Sequence, residues 1–133
     1  MTPFPPILAG LRLLVVEDNY LVAGVIVQHL RQRGAVVLGP APSVDKALEI
    51  VERETFDAAV LDIDLQGSTV APVAFRLREL GRPFAFLTGY GSDGALPPEL
   101  ADERRLSKPV PMDDLAAMVL ELVGRAPGAA GRR

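Results

Sequence analysis

The chain has no cysteine and a single histidine in 133 residues. Without cysteine there is no disulfide, no thiolate nucleophile and no thiolate metal centre, and the composition fits a reducing compartment. There is no excess of basic charge either: 14 Lys and Arg stand against 17 Asp and Glu, for a net charge of -3. A surface that tracks a polyanion needs clustered cations, so no nucleic-acid partner is expected. No apolar run is long enough to cross a bilayer. Residues 1–10 (MTPFPPILAG) carry no basic region and hold Pro3, Pro5 and Pro6, unlike a signal peptide. A cytoplasmic protein without a membrane partner is the expectation.

Apolar residues supply 49% of the chain, which is enough for one packed core and argues against disorder. The tail RAPGAAGRR has no apolar periodicity. The expected organisation is an N-terminal extension over 1–10, one domain over 11–124 and a flexible tail over 125–133.

Short apolar runs alternate with helical patterns along that domain. Leu11 to Val16 (LRLLVV), Ala35 to Leu38, Ala58 to Leu61 and Phe84 to Leu87 read as strands buried on both faces. The second is expected to stop at Gly39-Pro40. Residues 20–33 read as a helix closed by Gly34. Ser43 reads as the N-cap of a helix whose buried face is Val44, Ala47, Leu48 and Val51. Val70, Val73, Ala74, Leu77 and Leu80 mark a third helix. Residues 111–123 form a last one, with Asp113 and Asp114 in its first turn, where the helix dipole favours acids. Gly91 to Arg104 contains Gly91, Gly94, Pro97 and Pro98, so any helix there is short or irregular. A fifth strand at Arg105–Ser107 completes the alternation. Five β-α units imply an α/β fold: a five-stranded parallel sheet covered on both faces, in the flavodoxin-like order 2-1-3-4-5.

Ligands of such folds sit outside the carboxyl ends of the strands. Strand one ends in Glu17-Asp18, strand three in Asp62, strand four in Thr88 and strand five in Lys108-Pro109. Each is unremarkable alone. An acidic pair after a strand is usually a solvated turn, and Thr88 alone is a strand end. Together they converge on one rim. Three close carboxylates raise one another's pKa unless a cation joins them. A donor set of oxygens favours a hard ion, Mg²⁺ first, with Mn²⁺ as an acceptable substitute. Carboxylates, metal, lysine and hydroxyl are the components of phosphoryl transfer to an aspartate.

The motifs LLVVEDN, AVLDIDLQG, FLTGYG and LSKPV, spread over residues 11–123, resemble the receiver domains of bacterial two-component response regulators. The resemblance implies Asp62 as phosphoacceptor and Asp18 as a direct metal ligand, with Glu17 binding the metal directly or through water. The backbone carbonyl of Asp64 would be a further ligand, Thr88 the switch hydroxyl and Lys108 the partner of the phosphoryl group. The Lys108-Pro109 bond would be cis. A sensor histidine kinase or histidine phosphotransfer protein would donate the phosphoryl group, and an unidentified protein would read the result. Pro83 to Val110 further resembles the FAT GUY subgroup, through Phe86-Leu87-Thr88-Gly89-Tyr90, many of whose members are stand-alone receivers.

Several positions depart from the family pattern. The switch aromatic three residues before the lysine is Arg105 here; Tyr90 stands as a replacement, against the alternative of a ring half buried under a loop. Gln66 replaces a common proline. Asp64 adds charge near the acceptor. His29, in the first helix and away from the strand ends, reads as a solvated residue, so the phosphohistidine must come from a partner. Residues 21–27 (LVAGVIV) are apolar nearly all round the helix, which means either deep burial or a dimer face, and leaves a monomer or a weak homodimer open.

Three rivals remain. Asp62-x-Asp64 with Thr88 and Lys108 also resembles haloacid-dehalogenase-type phosphatases. A flavodoxin-like nucleotide binder would need a phosphate-cradling loop where Glu17-Asp18-Asn19-Tyr20 stands. The third is a receiver-fold module that binds protein without being phosphorylated.

Overall fold

The computed structural model describes residues 4–65, 67–89 and 96–125. Five strands form one parallel sheet: β1 (Arg12–Val16), β2 (Val36–Ala41), β3 (Ala58–Asp62), β4 (Phe84–Thr88) and β5 (Arg105–Ser107). They lie in the order β2-β1-β3-β4-β5. The helices are α1 (Tyr20–Gln32), α2 (Val44–Arg53), α3 (Ala71–Glu79) and α4 (Met112–Arg125). Among the described residues before β5, Pro98–Leu100 forms a short 3-10 turn.

The near-continuous apolar runs are explained by two cores, one on each face of the sheet. Leu14, Val16, Ala59, Leu61, Phe84 and Phe86 face the core that holds α2, α3 and Leu100. Leu13, Val15, Ala58, Val60, Ala85 and Leu87 face the core under α1 and α4. Successive strand residues point to opposite faces, so a strand covered on both sides must be apolar at every position. Each strand thereby ends abruptly at the edge of the cores, and the first polar residue emerges at the rim. The helix starts follow their caps: Asn19 Oδ1 accepts from the Val22 N–H at 3.0 Å and Ser43 Oγ accepts from the Lys46 N–H at 3.2 Å.

Four details depart from the sequence reading, and a fifth decides between alternatives that it left open. β2 does not stop at Gly39-Pro40 but runs through it to Ala41, with a register irregularity between Leu14 and Val16 of β1. Gly39 makes this feasible: its φ is +93°, and a Cβ there would come within 2.8 Å of the Val15 carbonyl. Leu8, assigned to the N-terminal extension, is fully buried, and its N–H donates to the Arg33 carbonyl at 2.8 Å. Leu80 is not on the buried face of α3; it is the C-cap and is exposed. His29 is not solvated but buried between α1 and α4. Finally, α1 is not buried all round: Ala23, Ile26, Val27, His29 and Leu30 face inward, while Tyr20 (88% exposed), Leu21 (76%) and Val25 face solvent. No described helix is long and apolar enough to cross a membrane.

Candidate phosphoacceptor site

Because β1 and β3 are neighbours, Glu17 and Asp18 emerge beside Asp62. Glu17, Asp18 and Asp62 can each place a carboxylate oxygen within 4.8 Å of the others. Lys108 reaches in from the end of β5: its Nζ lies 2.8 Å from Glu17 Oε1 and 3.3 Å from Asp62 Oδ1. The backbone around them is fixed. The Lys108 N–H donates to the Thr88 carbonyl at 2.8 Å, and the Lys108-Pro109 peptide is cis. The Ile63 N–H donates to the Leu87 carbonyl at 3.2 Å, while the Ile63 carbonyl accepts from the Val70 N–H at 2.9 Å. Asp62 is therefore held between β4 and the start of α3.

The structure thus brings together Glu17, Asp18, Asp62 and Lys108. Thr88, buried, ends the strand next to Asp62 and pairs with Ser107 of β5. The Asp64 carboxylate is exposed and lies outside the carboxylate cluster. Asp64 opens a small hairpin, Asp64–Leu65 against Ser68–Thr69, that turns at Gly67 with φ +86°. Arg105 is engaged elsewhere. Its guanidinium donates to the carbonyls of Ala101 (2.8 Å) and Leu100 (3.3 Å) and lies 6.0 Å from the Phe86 ring centre. Tyr90 lies outside the described residues, as does Gln66. One participant was missed in the sequence. Asn19 donates its backbone N–H to Glu17 Oε2 at 3.1 Å. An Asn directly before an apolar-periodic helix is an N-cap signature and could have drawn attention to it.

Burial raises the Asp62 carboxyl to about 7, reinforced by its hydrogen bond to Glu17 and by the Glu17 charge; the Lys108 ammonium opposes the shift. Burial pushes Glu17 up as well, but hydrogen bonds from Lys108, from Asp62 and from the Asn19 N–H, with the Lys108 charge, leave it below its usual value. Lys108 loses basicity by burial and regains more than that from the Glu17 hydrogen bond and the two carboxylate charges. One lysine thus serves two buried acids that hold a proton between them near neutrality. An added cation would relieve that excess of negative charge, and three carboxylates without nitrogen or sulfur donors suit a hard ion. The residues present therefore fit a divalent metal of the Mg²⁺ type.

Residues 13–120 match the model of the response regulator receiver domain. The chain belongs to that family. Receiver domains are the phosphoacceptor signalling domains of two-component systems and take phosphate from histidine kinases. Among solved structures, SdrG from Sphingomonas melonis Fr1 is 34% identical, with 85% of this chain and 96% of that one covered and a TM-score of 0.70. The receiver domain of a sensor histidine kinase from Pseudomonas aeruginosa PAO1 is 25% identical, covers 87% and 99% and has a TM-score of 0.76; that structure holds a magnesium ion in its active-site cleft. A response regulator receiver protein from Sinorhizobium medicae WSM419, 23% identical over 87% and 96%, shares the fold with a TM-score of 0.74. No curated protein sequence matches the chain.

Proposed function

We propose that this receiver domain takes a phosphoryl group onto Asp62 from a phosphohistidine, on a sensor histidine kinase or a histidine phosphotransfer protein, and changes a partner-binding surface as a result. The observation that carries the reading is the Lys108 ammonium lying between Glu17 and Asp62 at the rim of an otherwise apolar core. Glu17, Asp18, Asp62 and the backbone carbonyl of Asp64 would hold Mg²⁺, or Mn²⁺ in its place. The ion would neutralise the carboxylates and screen charge on the transferred oxygens.

An Asp62 oxygen forms the bond to phosphorus as the bond to the donor imidazole nitrogen breaks, and the imidazole leaves neutral once protonated. Lys108, held by Glu17, presents an ammonium where negative charge collects. Thr88, one strand away, supplies a hydroxyl to a phosphoryl oxygen, and the surface from Thr88 to Arg105 carries the change to a downstream protein. Water attack on the same phosphorus returns Asp62 to its free state, a self-dephosphorylation rather than turnover of an external substrate. The Phe86–Tyr90 run supports assignment to the FAT GUY-like subgroup. A cytoplasmic donor fits the cysteine-free composition. The phosphatase reading is disfavoured because Asp64 does not bring its carboxylate to Asp62.

Phosphotransfer from a phosphorylated histidine kinase tests the reading. Wild type and Thr88→Ala are expected to take up label and Asp62→Asn none; only wild type is expected to change its affinity for a downstream partner. Equal labelling of Asp62→Asn would place the acceptor elsewhere.

A further inference from the structure

The two oxygens of Glu17 are not equivalent. Oε1 is taken by the Lys108 ammonium at 2.8 Å, whereas Oε2 accepts the backbone N–H of Asn19 at 3.1 Å. Asn19 is itself fixed. Its side-chain Oδ1 accepts the Val22 N–H at 3.0 Å, which makes it the N-cap of α1 and keeps its backbone extended at φ -79°, ψ 114°. One residue therefore has two functions: its side chain caps the start of the helix, and its peptide N–H orients a buried carboxylate.

We propose that Asn19 is a positioning residue for the metal, acting through Glu17; this rests on the phosphoacceptor reading of the site. The Glu17 side chain is buried and has rotatable bonds, so burial alone does not set the direction of its carboxylate. Lys108 alone does not set it either, because the same ammonium is shared with Asp62. Asp62 also bonds Glu17, but it too is a rotatable side chain that shares Lys108. The Asn19 N–H is the one backbone donor to the Glu17 carboxylate among the described residues, and its direction depends on the cap. Without the Oδ1–Val22 bond the first turn of α1 frays, the Asn19 peptide is free to rotate, and Glu17 loses the partner that holds Oε2. Partners that orient a metal-ligating group typically change metal affinity 10–100-fold when removed, and the lower end is expected here because Lys108 remains.

A matched cap elsewhere in the fold supplies the control. Ser43 caps α2 by accepting the Lys46 N–H at 3.2 Å. Ser43→Ala and Asn19→Ala each remove one helix cap, but only the second touches Glu17. Mg²⁺ titration of the unphosphorylated protein, followed by amide chemical shifts around Asp62, gives the affinity without any transfer step. Asn19→Ala is expected to weaken Mg²⁺ binding about tenfold, Ser43→Ala to leave it within about twofold, and Asn19→Ser, which restores a capping oxygen, to return to near the wild-type value. An Asn19→Ala affinity within the Ser43→Ala range would overturn the positioning role and leave the metal reading standing. Loss of affinity that Asn19→Ser does not restore would equally overturn it, since the cap would not be the cause. Absence of Mg²⁺ binding by the wild type would overturn both.

Discussion

Among the described residues, ionisable groups are buried in two places, and the two are built differently. At the strand ends, Glu17, Asp62 and Lys108 are all in contact, and every charge has a partner of opposite sign. Between α1 and α4, His29 is buried with its Nε2 unpartnered; Arg33 bonds Asp113 at 2.7 Å and lies under Phe4, yet its Nε is unpartnered too. The first region has a surplus of anions and a carboxyl raised to about 7. In the second, burial lowers the His29 pKa, the Arg33 charge adds to this, and the Asp113 charge and the Met112 backbone only partly offset it. Burial acts on both and favours the neutral form of each, so it moves the acid up and the base down. What distinguishes the functional region is geometry: its groups converge on a point accessible from the rim, where an outside cation or phosphoryl group can complete the charge balance.

The largest effect expected from this difference is kinetic. Lys108→Ala should slow phosphoryl uptake from a small-molecule donor by about 10²–10³-fold, the usual cost of removing one aimed charge stabiliser. His29→Gln should leave that rate within about twofold, since it touches no reacting group. Stopped-time mass spectrometry of the two variants checks this, and a comparable loss in both would dissolve the distinction between the regions.

The next effect is on stability, and it has opposite pH signs in the two regions. Asp62 is raised from 3.8 to about 7, so in the metal-free protein its contribution to stability is present below pH 3.8 and is lost as the pH rises to about 7. Asp62→Asn should therefore stabilise the metal-free protein at alkaline pH by about 1–3 kcal/mol, as expected for removal of a crowded buried charge. The gain should shrink with added Mg²⁺ and with falling pH, as read by urea unfolding. His29 is lowered from 6.5, so its contribution is present above pH 6.5 and is lost as the pH falls below it. His29→Leu should flatten that acid limb, as read by urea unfolding across the acid range. An unchanged acid limb in this variant would mean that His29 reaches water in the folded state.

The two regions also differ in how far the sequence revealed them. The strand-end residues were legible because a doubly wound sheet places its chemistry at the carboxyl ends: three apolar runs each end in a polar residue of the right type, and Lys108 follows a strand that the alternation required. The pairing of Glu17 with Asp62 followed from the strand order. The His29 region was not legible: a lone histidine on a helix looks solvated, and only the packing of α4, which brings Met112 and Asp113 near the ring, shows that it is covered. Gly39-Pro40 read as a strand stop because proline lacks a donor, but β2 is an edge strand and tolerates that loss. The apolar α1 left burial and exposure both open, since helical periodicity shows a face only when polar residues mark its opposite side. Asn19 was passed over because its contribution to the site is a backbone N–H, which side-chain identity does not advertise.

The most direct test of the central claim is the intact mass of the protein after incubation with Mg²⁺ and a small-molecule phosphodonor, beside Asp62→Asn and a chelator control. The account predicts one added phosphoryl group, stable to acid and labile to base, present in wild type and absent from both the variant and the chelated sample. Phosphoryl uptake that survives Asp62→Asn or chelation, or no uptake from either this donor or a phosphorylated histidine kinase, would contradict it.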